Sequence, residues 1–341
     1  MESDGAPPVH RESSPRARMI WWPIDMLEHP LLIVQPERDS GHRWGYEEPN
    51  LLALATLARR LFAACSERWQ AVAICSSREL LDISADRLRR VTAAVVDPMG
   101  CAATSGDEQR FFSKLTGARK RVLVLSEATE TARYGRQFRL PADFDAVFDI
   151  GFVPQGDRYP RFEVPYHFVF NGPTEEEEQI ISEQSPSQER CIPWAVVGSR
   201  TPRHLNLVAE LTDHNLYAGG FCFLEHHTQQ GRRGTGLLSP SGLTAVLSKT
   251  NYYVWSSDDP LEYYESSYFI QALLAGAVPC KIVAGHTSRE ESDIPGIFPS
   301  VRSFFDRVQE EGYWSMYCSS RDFYTSRGLM AGHLEEALRL V

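Results

Sequence analysis

The sequence predicts an α/β protein made of two Rossmann-like halves. Three observations carry that expectation. Strand-length apolar runs alternate with helical stretches along most of the chain, the pattern of parallel sheets wound on both faces. A polar, acidic stretch, PTEEEEQIISEQSPSQER, interrupts the alternation near the middle. The alternation then resumes at once on its far side.

Taken in order, residues 1–17 are polar, with Pro, Ser and both signs of charge, and are expected to be disordered. Met19 to Trp22 and Leu31 to Val34 are apolar enough for strands. A polar and aromatic loop follows, with His42 and Trp44 in it, before a helix over about 48–65. His42 and Trp44 are candidate walls for a ligand, or else members of a surface loop with a packed Trp. Strands are expected at 71–75, 92–96, 121–125, 146–150 and 166–170. Helices are expected between them at about 77–90 and 106–117. No G-x-G-x-x-G opens the first unit, so a standard dinucleotide site is excluded.

Glu175 to Glu178 sit in the acidic stretch, which reads as a solvated connection. The expected organisation is a first lobe over 18–175, a linker over 176–190, a second lobe over 191–325, and a final helix over 326–341 that packs back toward the first lobe. In the second lobe, strands are expected at 194–198 and 220–224, with helices at 202–211 and about 240–248. Tyr252 to Ala284, YYVWSSDDPLEYYESSYFIQALLAGAVPCKIVA, is the organising stretch. It reads strand, loop, helix, tight turn, strand. Asp259-Pro260-Leu261-Glu262 has the form of a helix start, with an N-cap acid, proline at the first helical position and a capping-box acid. Leu261, Tyr264, Tyr268, Ala272 and Ala275 recur at helical spacing and should face a core. Gly276 ends the helix, and Val278 to Val283 is a mostly apolar strand of the buried parallel kind. Helices at 301–310 and 329–341 close the chain.

Composition narrows the function. The 341 residues suffice for two full cores, and 43% hydrophobic with 23% charged residues is ordinary for a globular protein. A formal net charge of -10 argues against a general nucleic-acid binder. Seven scattered cysteines with no C-x-x-C point to a reducing compartment, without disulfide framework or zinc site. No run reaches the length of a membrane span and no signal peptide is apparent, so a cytoplasmic location is expected. The oligomeric state is not written in the composition.

Several residues have the chemistry for a ligand site. Gly198-Ser199-Arg200-Thr201-Pro202-Arg203 follows a strand and opens a helix. The amides and dipole of that helix start suit an anion, and Arg200 or Arg203 adds a bidentate phosphate partner; a solvated helix cap is the competing reading. Glu225-His226-His227, followed by a Gly- and Arg-rich loop, lies at another strand's carboxyl end, where open α/β sheets bind ligands. His227 or Arg232 could touch a ligand there, although the stretch also reads as a surface loop. The two histidines lack a third metal ligand at a telling spacing, so no metal site is expected. Lys249, just before a strand, could face phosphates or cap a solvated helix end. Glu262 is explained as a capping acid. Glu265 is not, which makes it the better acceptor for ribose or sugar hydroxyls. Glu127 ends a strand of the first lobe, where a carboxylate could serve as general base or cap a helix alongside Thr129.

QALLAGAVPCKIV resembles the late C-terminal helix of glycosyltransferases of the GT-B fold. It is most similar to the "AL-x-x-G-x-V-P-V" form of fucosyltransferase-like and exostosin-like families. The likeness covers roughly 252–284. It implies two Rossmann-like domains facing each other across a cleft. It also implies a nucleotide-diphosphate-sugar donor held by the second lobe through Arg200, Arg203, His227, Lys249 and Glu265. A small-molecule or glycan acceptor would lie against the first lobe near His42 and Trp44, with Glu127 as the base, and neither cofactor nor metal is required. The chain departs from the retaining E-x7-E pattern, having Gln271 and Tyr263 at those positions. Glu265-Ser266 stands where the fucosyltransferase-like pattern has "E-K". These departures leave donor and stereochemistry open. A sugar-nucleotide epimerase of the same fold and a non-catalytic nucleotide-binding protein are the rival expectations.

Overall fold

The computed structural model describes residues 30–37, 48–66, 71–125, 143–150, 164–186, 189–214, 219–225, 238, 240–257, 265–283 and 294–341. The strand expected at 19–22 lies outside them. Two separate sheets organise the chain.

The first sheet contains β1 (Leu31–Gln35), β2 (Val72–Ser76), β3 (Thr92–Val96), β4 (Lys120–Leu125), β5 (Ala146–Asp149) and β6 (Tyr166–Phe168). Their order is β2-β1-β3-β4-β5-β6 and every pairing is parallel. Successive side chains on a strand point to opposite faces, and here both faces are covered. Leu31 and Ile33 join one core with Val122 and Val124, while Leu32 and Val34 join another with Leu123 and Leu125.

The second sheet contains β7 (Ile192–Ser199), β8 (Phe221–Glu225), β9 (Thr250–Ser257), β10 (Val278–Val283) and β11 (Ile297–Phe298). Its order is β11-β10-β9-β7-β8, again all parallel. Read from β8, this repeats the arrangement of the first five strands of the other sheet. In both, the first strand lies between the second and the third. The protein is therefore α/β, with two parallel sheets of the Rossmann-like kind.

The helices are α1 (Glu48–Ser66), α2 (Ser77–Asp82), α3 (Ala85–Leu88), α4 (Pro98–Ser105), α5 (Glu108–Leu115), α6 (Glu175–Ser182), α7 (Pro202–Asp213), α8 (Pro240–Leu247), α9 (Ser266–Leu274), α10 (Val301–Ser326) and α11 (Met330–Arg339). Several differ from expectation for local reasons. The helix expected at 77–90 is divided, because Ser84 caps a new start by accepting from the Arg87 amide. The helix expected at 106–117 is preceded by α4, whose cap Asp97 accepts from the Gly100 amide ahead of Pro98. The acidic stretch is not a plain connection. Thr174 and Glu177 form a capping box that starts α6, and Ile181 is fully buried. The helix expected at 301–310 runs on to Ser326, with a break at Gly312 where φ is 73°.

Two segments carry the chain between the halves. Asn171 to Thr174 leads out of the first, and Thr325 to Leu329 leads back to it. They run against each other: a Cβ on Gly172 would fall 2.3 Å from the Gly328 carbonyl oxygen, and the Met330 amide donates to the Pro173 carbonyl at 3.0 Å. Arg60 of α1 ties the outgoing segment to α6 and to the end of α10. Its guanidinium donates to both Glu177 oxygens at 2.7 and 2.8 Å, to Asn171 Oδ1 at 2.6 Å, to the Gly172 carbonyl at 2.9 Å and to Tyr324 Oη at 3.3 Å. Burial alone would pull this guanidinium's pKa down; Tyr324 and Glu177 outweigh it and the net shift is upward. Beyond the crossing, α11 lies on α1, and Met330, Ala331, Leu334 and Ala337 complete the core under the first sheet.

Candidate functional site

In a parallel sheet with helices on both faces, a crevice opens where neighbouring strands send their crossovers to opposite sides. The second sheet has this switch between β7 and β9, at their carboxyl ends. Among the described residues, those that follow Ser199 lie there, beside Ser257 at the end of β9.

The β7–α7 junction is a capped helix start. Thr201 caps α7 by accepting from the His204 amide at 3.2 Å, and Pro202 occupies the first helical position. The His204 ring is held in this turn, with Nδ1 3.0 Å from Thr201 Oγ1. Gly198 leaves room for that ring, since a Cβ there would meet His204 Cε1 at 3.3 Å. Arg200 sits just ahead of the cap and is exposed; Arg203 is half-buried at the second helical position. Both arginines thus lie at the carboxyl edge, beside the switch.

Glu265 also lies at that edge, but its carboxylate is engaged. Oε2 accepts from Trp255 Nε1 at 3.0 Å and stands 3.1 Å from Lys281 Nζ. Lys281 is fully buried in the middle of β10. An unpaired ammonium in that position would cost several kcal/mol, whereas a missing helix cap costs about 1 kcal/mol. The larger effect wins. Glu265 precedes α9 with φ 27° and makes no side-chain cap hydrogen bond, so its carboxylate serves Lys281 instead. The structure therefore supplies the role that sequence reasoning did not find for Glu265. Around the pair, Trp255 stacks on Tyr268 at 5.1 Å and meets Phe269 edge-on at 5.2 Å. Burial, then Tyr268, then Glu265 push the Tyr253 phenol well above its ordinary pKa.

The helix expected from Asp259 is described only from Ser266; Leu261, Glu262 and Tyr264 lie outside the described residues. Its end is as the glycine suggests. Gly276 (φ 73°) donates to Leu273 and Ala277 to Ala272, the paired bonds of a Schellman motif.

Lys249 stands at the opposite end of the sheet. It precedes β9, is exposed, and its carbonyl accepts from the Ile192 amide at the amino end of β7. Topology separates it from Arg200 by the length of a strand, which favours the solvated helix end. Glu127, His42, Trp44, His227 and Arg232 lie outside the described residues. Among the described residues, no group of three His, Cys, Asp or Glu side chains could hold a metal ion, and no helix is long and apolar enough to cross a membrane.

The first sheet has the matching switch between β1 and β3. Asp97 caps α4 there, is 1% exposed, and has φ 48°. One strand further on than β4, Asp149 is buried at the end of β5 and accepts from Tyr166 Oη at 2.8 Å. Sequence reasoning missed Lys281, Arg60, Asp97 and Asp149. A lysine inside the apolar run VPCKIV was the readable anomaly, and Asp97-Pro98 repeats the cap signature recognised at Asp259-Pro260.

No family model matches the sequence, and no curated protein is significantly similar to it.

Proposed function

We propose that the chain is a GT-B glycosyltransferase, moving a sugar from a nucleotide-diphosphate donor to an acceptor hydroxyl or amine. The observation that carries this reading is the duplicated strand order. Each half has its own switch point, and the switch in the second half has Arg200, Arg203 and a capped helix start beside it. The resemblance of the stretch 252–284 to the donor lobes of fucosyltransferase-like and exostosin-like enzymes supports the same assignment. So does the return of α11 to the first half.

In this reading the β7–α7 corner takes the donor diphosphate. Arg200 offers two parallel N–H groups to phosphate oxygens, and the helix start adds backbone amides. Charge gathers on the leaving diphosphate in the transition state, so cations held there before reaction lower the barrier. The Lys281–Glu265–Trp255 group is a buried brace behind this wall, and Glu265 acts through it rather than on ribose. Glu127, following β4, takes the acceptor proton. His227 remains a donor-side candidate, and His42 and Trp44 acceptor-side ones.

The test is a thermal-shift panel of UDP, GDP, TDP, CDP and ADP. Ligand binding to the folded state raises Tm by mass action. One diphosphate should raise Tm in the parent, and Arg200→Ala should reduce that shift. Glu127→Gln should keep the shift and lose transfer to an acceptor. Turnover of the nucleotide sugar with no acceptor present would favour the epimerase reading instead. A shift without any turnover would favour a binding protein.

A further inference from the structure

We propose that a groove along the outer edge of β11 binds a neutral polyhydroxylated small molecule, a sugar or polyol. It lies on the far flank of the second sheet from β7 and is independent of the glycosyltransferase reading.

The groove exists because α10 is broken. Gly312, with φ 73° and ψ 166°, leaves the helical region and turns the second half of the helix away from the first. The two half-helices then wall a cavity of about 350 Å³ whose floor is the segment from Ile294 to Pro299. That volume falls at the small end of the range typical of ligand sites.

The lining is of two kinds. Ile297, Phe298 and Met316 give an apolar surface. Against it stand the Ser319 hydroxyl and the pair Arg307–Glu311, with Nη1 2.7 Å from Oε1 and side chains 42% and 30% exposed; the Ser303 hydroxyl is taken up in the capping box with Ser300. This pair cancels its own charge. An anion there meets the Glu311 carboxylate at close range, and a cation meets the Arg307 guanidinium, so either charge is opposed. A neutral ligand meets no such opposition, and hydroxyl groups can donate to the carboxylate while accepting from the guanidinium. A sugar ring suits both surfaces, with hydroxyls on its rim and C–H bonds on its faces.

Ser320 adds an independent mark. It belongs to the cavity wall, is 1% exposed, and its Oγ has no hydrogen-bond partner. Native interiors seldom leave such a group unpaired. A ligand hydroxyl in the groove would give this group a partner.

The test is saturation-transfer NMR on the full chain with glucose, galactose, mannose and sorbitol, against glycerol 3-phosphate and ethanolamine. At least one neutral probe should bind saturably and the charged probes should not. Ser319→Trp, at an exposed wall position, should block the groove and abolish binding without altering Tm. Ser320→Ala should weaken binding about three- to tenfold, as for one lost hydrogen bond, and should not lower the Tm of the ligand-free protein. The nucleoside diphosphate shift should be the same in both variants, so failure here is separable from failure of the donor site. Absence of binding by every neutral probe, equal binding of charged probes, or binding that survives Ser319→Trp would each overturn the proposal and leave the groove to water.

Discussion

The two sheets share a strand order but differ in how each is finished. The first ends in apolar packing: its core is completed by α11, a helix that is last in the chain and arrives from the other half. The second has a core drawn mostly from its own elements, with Phe170 and Ile181 joining at the crossing, and its strands bury a lysine, Lys281, where the first sheet's strand ends bury the acids Asp97 and Asp149. The lesson is that shared topology fixes where a crevice can open, while the buried polar groups distinguish one crevice from the other. Arginine shows the same contrast. Arg60 is wrapped by the crossing between the halves, whereas Arg200 stands in solvent at the β7–α7 corner.

The comparison can be broken in four places. Ending the chain at Gly328 removes Met330 and Leu334, each worth about 1.5–3 kcal/mol when buried, together with Ala331 and Ala337. That is a large part of the roughly 5–15 kcal/mol that holds a typical domain. Hydrogen exchange should then show β1, β3 and β4 losing protection while β9 and β10 keep theirs. If both sheets lose protection together, the halves are not separate cores.

Next in size is Arg60→Ala. It leaves Glu177, whose side chain is 14% exposed, without its ion pair and strips Asn171 and the Gly172 carbonyl of a donor. A cost of about 3–5 kcal/mol is expected in urea unfolding. A cost below about 1 kcal/mol would mean that the crossing is held by backbone packing alone. Glu265→Ala should follow at about 3 kcal/mol, because Lys281 then loses the carboxylate that balances its charge in the interior. Lys281→Met combined with Glu265→Gln should recover much of that loss, since an apolar replacement removes the charge needing a partner. A double variant no more stable than Glu265→Ala would refute the pairing. Smallest is Arg200→Ala, expected within about 0.5 kcal/mol of the parent because the side chain is exposed. A large loss there would make Arg200 structural.

Much of this was legible in the sequence. Strands such as LLIV, RVLVL and VPCKIV were readable because both-face burial leaves continuous apolar runs. Gly276 was readable because its helix end needs a positive φ. Less legible were features set by distant partners. Nothing near Glu177 announces Arg60, 117 residues earlier. The acids of α6 therefore look like a solvated run, although one of them closes a capping box and an ion pair. Glu265 looked idle for the same reason, its partner lying in the strand beyond its own helix. Lys249 stayed open between phosphates and a solvated helix end for a different reason: which edge of the sheet carries the crevice is set by the parallel strand order, not by the residues beside the strand. Arg200, by contrast, was placed correctly at a carboxyl edge because the strand–Gly–Ser–Arg–Thr–Pro run fixes its side of the sheet.

The most direct measurement is hydrogen exchange of the parent protein with and without the nucleoside diphosphate that raises Tm most. The account predicts new protection at residues 199–204, at the β7–α7 corner, and none at 247–250, at the amino end of β9. Protection confined to 247–250, or to the first sheet alone, would contradict it.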